Sequence, residues 1–213
     1  MALSEPELVA LVQRFETRLD AYRSAGSDLL EGAWDALAGY DEADLAEFLR
    51  RVTPRLYTLL ESTVEISSAF YRSTLALPTA AVPKASVVPK LGLNQAFHAT
   101  WHALAQGRSF EDAVAAGRSM ASARAFDLVQ STSRRAGDAT VAVSRARIVG
   151  WRRVVSANSC PWCHTVAGQI YRTSVSADFG HDRCDCTAIP ITGTIDPGRA
   201  LNRQRIGDSS EGV

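Results

Sequence analysis

At 213 residues, with 46% of them apolar and a formal net charge of zero, the chain is long enough for one large hydrophobic core or two small ones, which excludes wholesale disorder. No stretch approaches the roughly 20 apolar residues of a membrane helix, and the opening MALSEPELVALVQRFE is acidic and amphipathic where an export leader is basic and then apolar, so a soluble, unexported protein without a membrane partner is expected. The charges are segregated: residues 1–65 hold 6 Arg against 13 Asp or Glu, 66–156 hold 12 Lys or Arg against 4 acids, and 157–213 hold 5 against 6, which reads as partner surfaces of opposite sign or as differently solvated helix faces.

Residues 1–77 read as an N-terminal helical region. Ser4 with Glu7 forms a capping-box pattern, and Leu8, Leu11, Val12, Phe15 and Leu19 follow at helical spacing. A second helix runs from Ser27 through Trp34 to Leu37 and ends near Gly39. A third begins near Asp41 and continues through Phe48 and Val52 toward Leu75, with Pro54 kinking or splitting it. Prolines at 78, 83 and 89 make residues 78–93 a linker or extended arm.

Residues 94–137 form a second helical region. One helix spans Asn94 to Ala105; a second, capped by Ser109 with Asp112, reaches about Arg134, and Gly137 ends the helical half. His98 and His102 stand at the i, i+4 spacing of helix-face zinc ligands, but Ala99 occupies the place where a metalloprotease carries its Glu, so they read as core or surface histidines. From Ala139 the β-branched, Arg-rich stretch TVAVSRARIVGWRRVVS predicts a strand through Ile148 to Val155, and Ile189 to Ile195 predicts another. Residues 138–195 then form a small α+β module, and 196–213, poor in apolar residues, a flexible tail.

All four cysteines fall within this module. In a reducing compartment such a cluster is used for metal rather than for disulfides. Cys160-Pro-Trp-Cys163 has the gap that lets a tight knuckle aim two sulfurs at one ion, and His181-Asp-Arg-Cys184-Asp-Cys186 offers three more ligands. Zinc takes four tetrahedral sulfur and nitrogen donors, so Cys160, Cys163 and two of His181, Cys184 and Cys186 are expected to hold it. Neither the helix-opening position of a thioredoxin-like CxxC in a βαβ unit nor the HxE of a zinc deaminase accompanies CPWC. The basic positions Arg145, Arg147, Arg152 and Arg153, with Trp151 among them, offer a weak nucleic-acid-binding surface. Strand alternation would put Arg145, Arg147 and Arg153 on one face and Arg152 on the other. The fold class expected is mainly α with a small C-terminal α+β zinc-bound module.

The run VGWRRVVSANSCPWCHTVAGQIY followed by GHDRCDCTAIP resembles the phage Mu protein F-like (MuF) minor head proteins, in which a Trp-containing strand leads into CPxC, a Gly-containing segment follows and HPxCRCxxxP closes the module. Trp151, Cys160, Pro161, Cys163, Gly168, His181, Cys184, Cys186 and Pro190 stand in the matching places. Asp182 and Asp185 replace the family's Pro and Arg, which leaves a phosphate contact attributed to that Arg without its residue. The resemblance covers about residues 148–191. It implies a non-enzymatic minor capsid protein inside the virion head near the portal, made in the host cytoplasm and acting in head assembly or genome packaging and ejection. The partners it implies are the portal or major capsid protein and, weakly, packaged DNA, with no small-molecule substrate. A zinc-dependent nucleic-acid-binding protein and a capsid maturation protease are the alternatives; the chain leaves little room for an enzyme after the module.

Overall fold

The computed structural model describes residues 3–77, 84–144, 148–156, 159–171, 186–192 and 196–206. In chain order the elements are α1 (Glu5–Asp35), α2 (Glu42–Thr74), α3 (Lys84–Val87), α4 (Gln95–Ala105), α5 (Phe110–Ser144), β1 (Gly150–Val154), α6 (Pro161–Thr165), β2 (Ile170–Tyr171), β3 (Thr187–Ile191) and α7 (Pro197–Ile206). The protein is mainly helical, with a three-stranded antiparallel sheet near its C-terminal end, ordered β2-β1-β3. Among the described residues no helix is long and apolar enough to cross a membrane.

The helix starts follow local chemistry. The Ser4 amide and hydroxyl both donate to Glu7 Oε2, at 2.7 and 2.6 Å. Asp41 Oδ1 accepts from the amides of Ala43 and Asp44, and Ser109 Oγ accepts from the Asp112 amide, so three otherwise unpaired helix starts are capped where the sequence places them.

The helix ends differ from expectation. The first two expected helices are one, because Gly26 sits where a Cβ would stand 3.2 Å from Leu59 and 3.4 Å from Ala125: it serves packing and does not interrupt the helix. α2 passes through Pro54 unbroken. The carbonyl this deprives of its helical partner belongs to Arg50, an exposed residue. α5 likewise runs through Gly137 to Ser144; a Cβ there would lie 2.6 Å from the Tyr71 ring. α7 forms where a loose tail was expected, with Leu201 and Asn202 fully buried.

The chain divides into two compact units. One comprises residues 19–63 and 88–132. Its core is aromatic, with Trp34 edge-on to Phe48 and Phe97, and Gly117 lets the Trp34 ring approach within 2.4 Å of where a Cβ would be. The other comprises residues 1–18, 64–87 and 133–213. There Phe15 stacks on Phe70 at 4.1 Å, Tyr71 packs edge-on against Trp151, and the sheet and α7 complete the core. This second unit carries all the described cysteines.

Candidate metal centre

β1 is the spine of the site. All five of its residues are buried, which removes the expected alternation of an exposed and a buried face. Its partners are set in register: Trp151 pairs with Tyr171 of β2 and with Pro190 of β3, and Arg153 pairs with Ala188. Gly150 permits the approach of β2, since a Cβ there would meet Ile170 at 2.7 Å and the Tyr171 carbonyl at 3.0 Å.

Beyond β1 the chain turns at Ser159, whose hydroxyl accepts from the Ser156 amide, and enters α6. Cys160 occupies the position before that helix in an extended conformation, its sulfur accepting from the Cys163 amide at 3.4 Å. Pro161 follows at the first helical position, where its fixed φ suits the turn and its missing N–H is not needed. CPWC thus does open a short helix after a strand, although β1 and β2 run antiparallel and do not make the parallel βαβ unit of a thioredoxin-like site. The turn presents Cys163, fully buried, to a cluster containing Val155, Ala167 and Cys186, with Cys160 and Ile206 packed against it. Cys186 arrives from the residue just before β3.

A guanidinium joins the two buried sulfurs. Arg153 Nη1 donates to Cys163 Sγ at 2.9 Å and to Cys186 Sγ at 3.1 Å, while Arg134 Nη2 lies 3.9 Å from Cys186 Sγ. The Arg153 plane is held over the Trp162 ring at 4.9 Å and the Tyr171 ring at 5.5 Å. Burial works most strongly against its charge, but Cys186, Cys163 and Tyr171 outweigh that cost and hold Arg153 above its ordinary range.

A polar frame fixes the knuckle. Arg152 grips Asp196 at 2.7 Å and donates to the Gly168 carbonyl at 2.6 Å. Asp196 also accepts from the Arg199 amide, capping α7. From α7, Asn202 accepts from the Val155 amide and donates to the carbonyls of Arg153 and Ala167, tying the end of β1 to the turn after α6. Arg205 extends the frame to Glu16 at 2.6 Å and to the Val155 carbonyl at 2.8 Å.

Of the expected ligands, Cys163 and Cys186 share the Arg153 guanidinium, and Cys160 packs against their cluster. His181 and Cys184, like Arg145 and Arg147, lie outside the described residues. Among the described residues no three His, Cys, Asp or Glu side chains stand close enough to enclose an ion. The donors gathered are soft sulfurs, a chemistry that fits zinc and not calcium or magnesium. The expected phosphate surface is altered: Arg152 and Arg153 are 5% and 0% exposed and engaged internally. His98 and His102 are exposed on α4, His98 against Asn94 and Trp101. Sequence reasoning missed Asn202 and Arg153 as supports of the site; Asp196-Pro197, a cap followed by a first-turn proline, was the available sign of α7.

A family model described as VG15 protein matches residues 9–203. Among curated proteins and among solved structures, nothing matches.

Proposed function

The chain belongs to the VG15 protein family, and from that premise, which points to a phage protein, we propose that it is a minor capsid protein of the MuF-like kind, resident in the head near the portal. It acts in head assembly or genome packaging and ejection, with the portal or major capsid protein as partner. It is synthesised in the host cytoplasm and incorporated during assembly. The cysteine module is structural and the protein is not an enzyme: one zinc ion, held by Cys160, Cys163 and two of His181, Cys184 and Cys186, cross-links the knuckle to the segment before β3.

One observation carries this reading. Among the described positions that bear the MuF-like resemblance, Trp151 lies directly across from Pro190, and Cys163 and Cys186 are buried in one cluster with Cys160 packed against it. Residues scattered over 40 positions of sequence therefore behave as one module, as a shared architecture requires. Zinc supplies a cross-link that so small a core lacks on its own.

The test is composition of purified heads. The protein is expected in mature heads at a few copies, cross-linking to the portal or major capsid protein, and the isolated chain is expected to carry one zinc by elemental analysis. Heads that assemble and fill normally without it, and contain none when the gene is present, overturn the structural role. A metal-free chain with all thiols free and the same fold overturns the zinc.

A further inference from the structure

The unit formed by residues 1–18, 64–87 and 133–213 carries an open groove whose walls are α1 and α2. Leu3 and Glu7 stand with Ala76 and Leu77 at one end, and Arg18 with Glu65 and Ile66 at the other, so the two helices run antiparallel along it. Two hollows of about 750 and 280 Å³ share Leu11, Arg14, Ala69 and Ser73 and make one trough. From Leu3 to Arg18 it is about 22 Å long at the rise of an α-helix. Its floor is apolar and firm: Phe15 stacks on Phe70 at 4.1 Å, both buried, with Leu11 and Ile66 half-buried and Ala69 exposed beside them. A small ligand needs an enclosed pocket with converging polar groups, whereas an open trough between two helices fits a third helix.

The rim has a sign. Residues 1–65 hold 13 Asp or Glu against 6 Arg, yet two of those six, Arg14 and Arg18, stand one helical turn apart on the wall of the groove. Both are exposed, and neither is ion-paired or hydrogen-bonded through its side chain among the described residues. Exposed arginines elsewhere are answered from within the chain, as Arg50 and Arg51 are by Glu47 and Arg118 is by Glu31 and Asp35. The two carboxylates on the groove are already engaged: Glu7 by the Ser4 amide and hydroxyl, Glu65 by Lys84 at 2.7 Å. Arg72 adds a third guanidinium to the lining. We infer that this groove is the docking site for an acidic amphipathic helix of a partner protein, about four turns long. Its apolar side chains, at helical i, i+3, i+4 and i+7 spacing, lie on Leu11, Ile66 and Ala69, and its carboxylates face Arg14 and Arg18. The apolar face supplies affinity, and the two arginines steer the helix and fix its direction. The docking chemistry does not depend on where in the virion the protein resides.

Photoreactive benzoylphenylalanine in place of Ala69, in the full-length protein of infected cells, reads the occupant directly. Mass spectrometry is expected to map the cross-link to a segment of another protein with helical apolar spacing and at least two Asp or Glu on one flank. That segment, made as a labelled peptide, is expected to bind the unmutated full-length chain. It binds the double variant Arg14→Ala, Arg18→Ala about 2- to 30-fold more weakly at low salt, the share of two exposed ion pairs. The difference closes toward about 1 M salt. Ala69→Gln, an exposed change on the floor, loses binding at every salt concentration. Circular dichroism checks the fold of each variant; should one unfold, the salt dependence of peptide binding to the unmutated chain decides. A cross-link to residues 78–83 of the same chain, to a second copy, or to a segment without acids overturns the inference, as does no cross-link at any stage of head assembly. Equal peptide affinity in the folded two-arginine variant, or affinity in the unmutated chain that does not fall with salt, overturns it as well.

Discussion

The Tyr71 hydroxyl donates a 3.0 Å hydrogen bond to the Ala188 carbonyl, joining the C-terminal turns of α2 to β3 two residues past Cys186. The phenol is 1% exposed, and burial, the main cause, with Asp138 nearby, pushes its pKa far above the ordinary tyrosine range. A group whose folded pKa is raised contributes stability that is complete below its unfolded pKa of about 10 and is lost as pH climbs toward the folded value. The protein is therefore expected to lose stability above about pH 10, and Tyr71→Phe to lose less over that range. At neutral pH the same variant is expected to cost about 1–3 kcal/mol, because the Ala188 carbonyl is left without this donor. Urea unfolding at pH 7 and pH 10.5 measures both; identical pH slopes in the two proteins would refute the assignment.

Gly137 and Gly32 should respond in opposite directions to alanine. In a helix interior the change favours folding by about 1 kcal/mol when space allows. Around Gly32 nothing lies within 4 Å of the new Cβ, so Gly32→Ala is expected to stabilise by roughly that amount. At Gly137 the Cβ would meet Tyr71 Cε2 and Cζ at 2.6 Å, and the ring is anchored through its hydroxyl. Overpacking of about 1–3 kcal/mol then exceeds the propensity gain, and Gly137→Ala is expected to be destabilised. Thermal melts of the pair decide it.

The same glycine marks the boundary of what sequence could say. The caps at Ser4, Asp41 and Ser109 were legible because donor and acceptor lie within three residues of one another. Gly137 looked like a helix end because its reason, the Tyr71 ring, is 66 positions away. The turn at CPWC was legible from spacing and Pro161, and β1 from the β-branched residues Ile148, Val149, Val154 and Val155 at its two ends. Whether Arg152 and Arg153 faced water was not: α7 and the cysteine cluster cover both faces of β1, and α7 is anchored by polar contacts from Asp196, Asn202 and Arg205 to backbone and charge, which leave little hydrophobic periodicity to read.

Asn202→Ala is expected to loosen the centre without touching a ligand. It removes a donor to Arg153 and Ala167 and an acceptor for the Val155 amide, all buried. Three hydrogen bonds at about 0.5–1.5 kcal/mol each, plus partners stranded away from water, suggest a loss of roughly 2–4 kcal/mol. Denaturant midpoint together with the rate at which a thiol reagent reaches Cys163 checks this; an unchanged Cys163 rate would mean that α7 does not hold the knuckle.

Binding of DNA tests the basic segment. Four arginines from Arg145 to Arg153, all facing phosphates, would give a salt slope of about −3.6 on duplex DNA. Arg152 and Arg153 are spent inside the fold, the first on Asp196 and Gly168 and the second on the two sulfurs. Only Arg145 and Arg147 are left to this segment, and two contacts give a slope of about −1.8. Arg152→Gln should then barely change DNA affinity. It should instead unfold the module, because removing one partner of a buried ion pair, here 6% and 16% exposed, costs about 3–5 kcal/mol. Anisotropy titrations with a random-sequence duplex between roughly 50 and 200 mM salt, run beside urea unfolding of Arg152→Gln, separate the two roles. A slope near −3.6 that falls by about one in a folded Arg152→Gln would mean that Arg152 leaves Asp196 to meet phosphate, and the buried frame around the cysteines would need to open for DNA to bind.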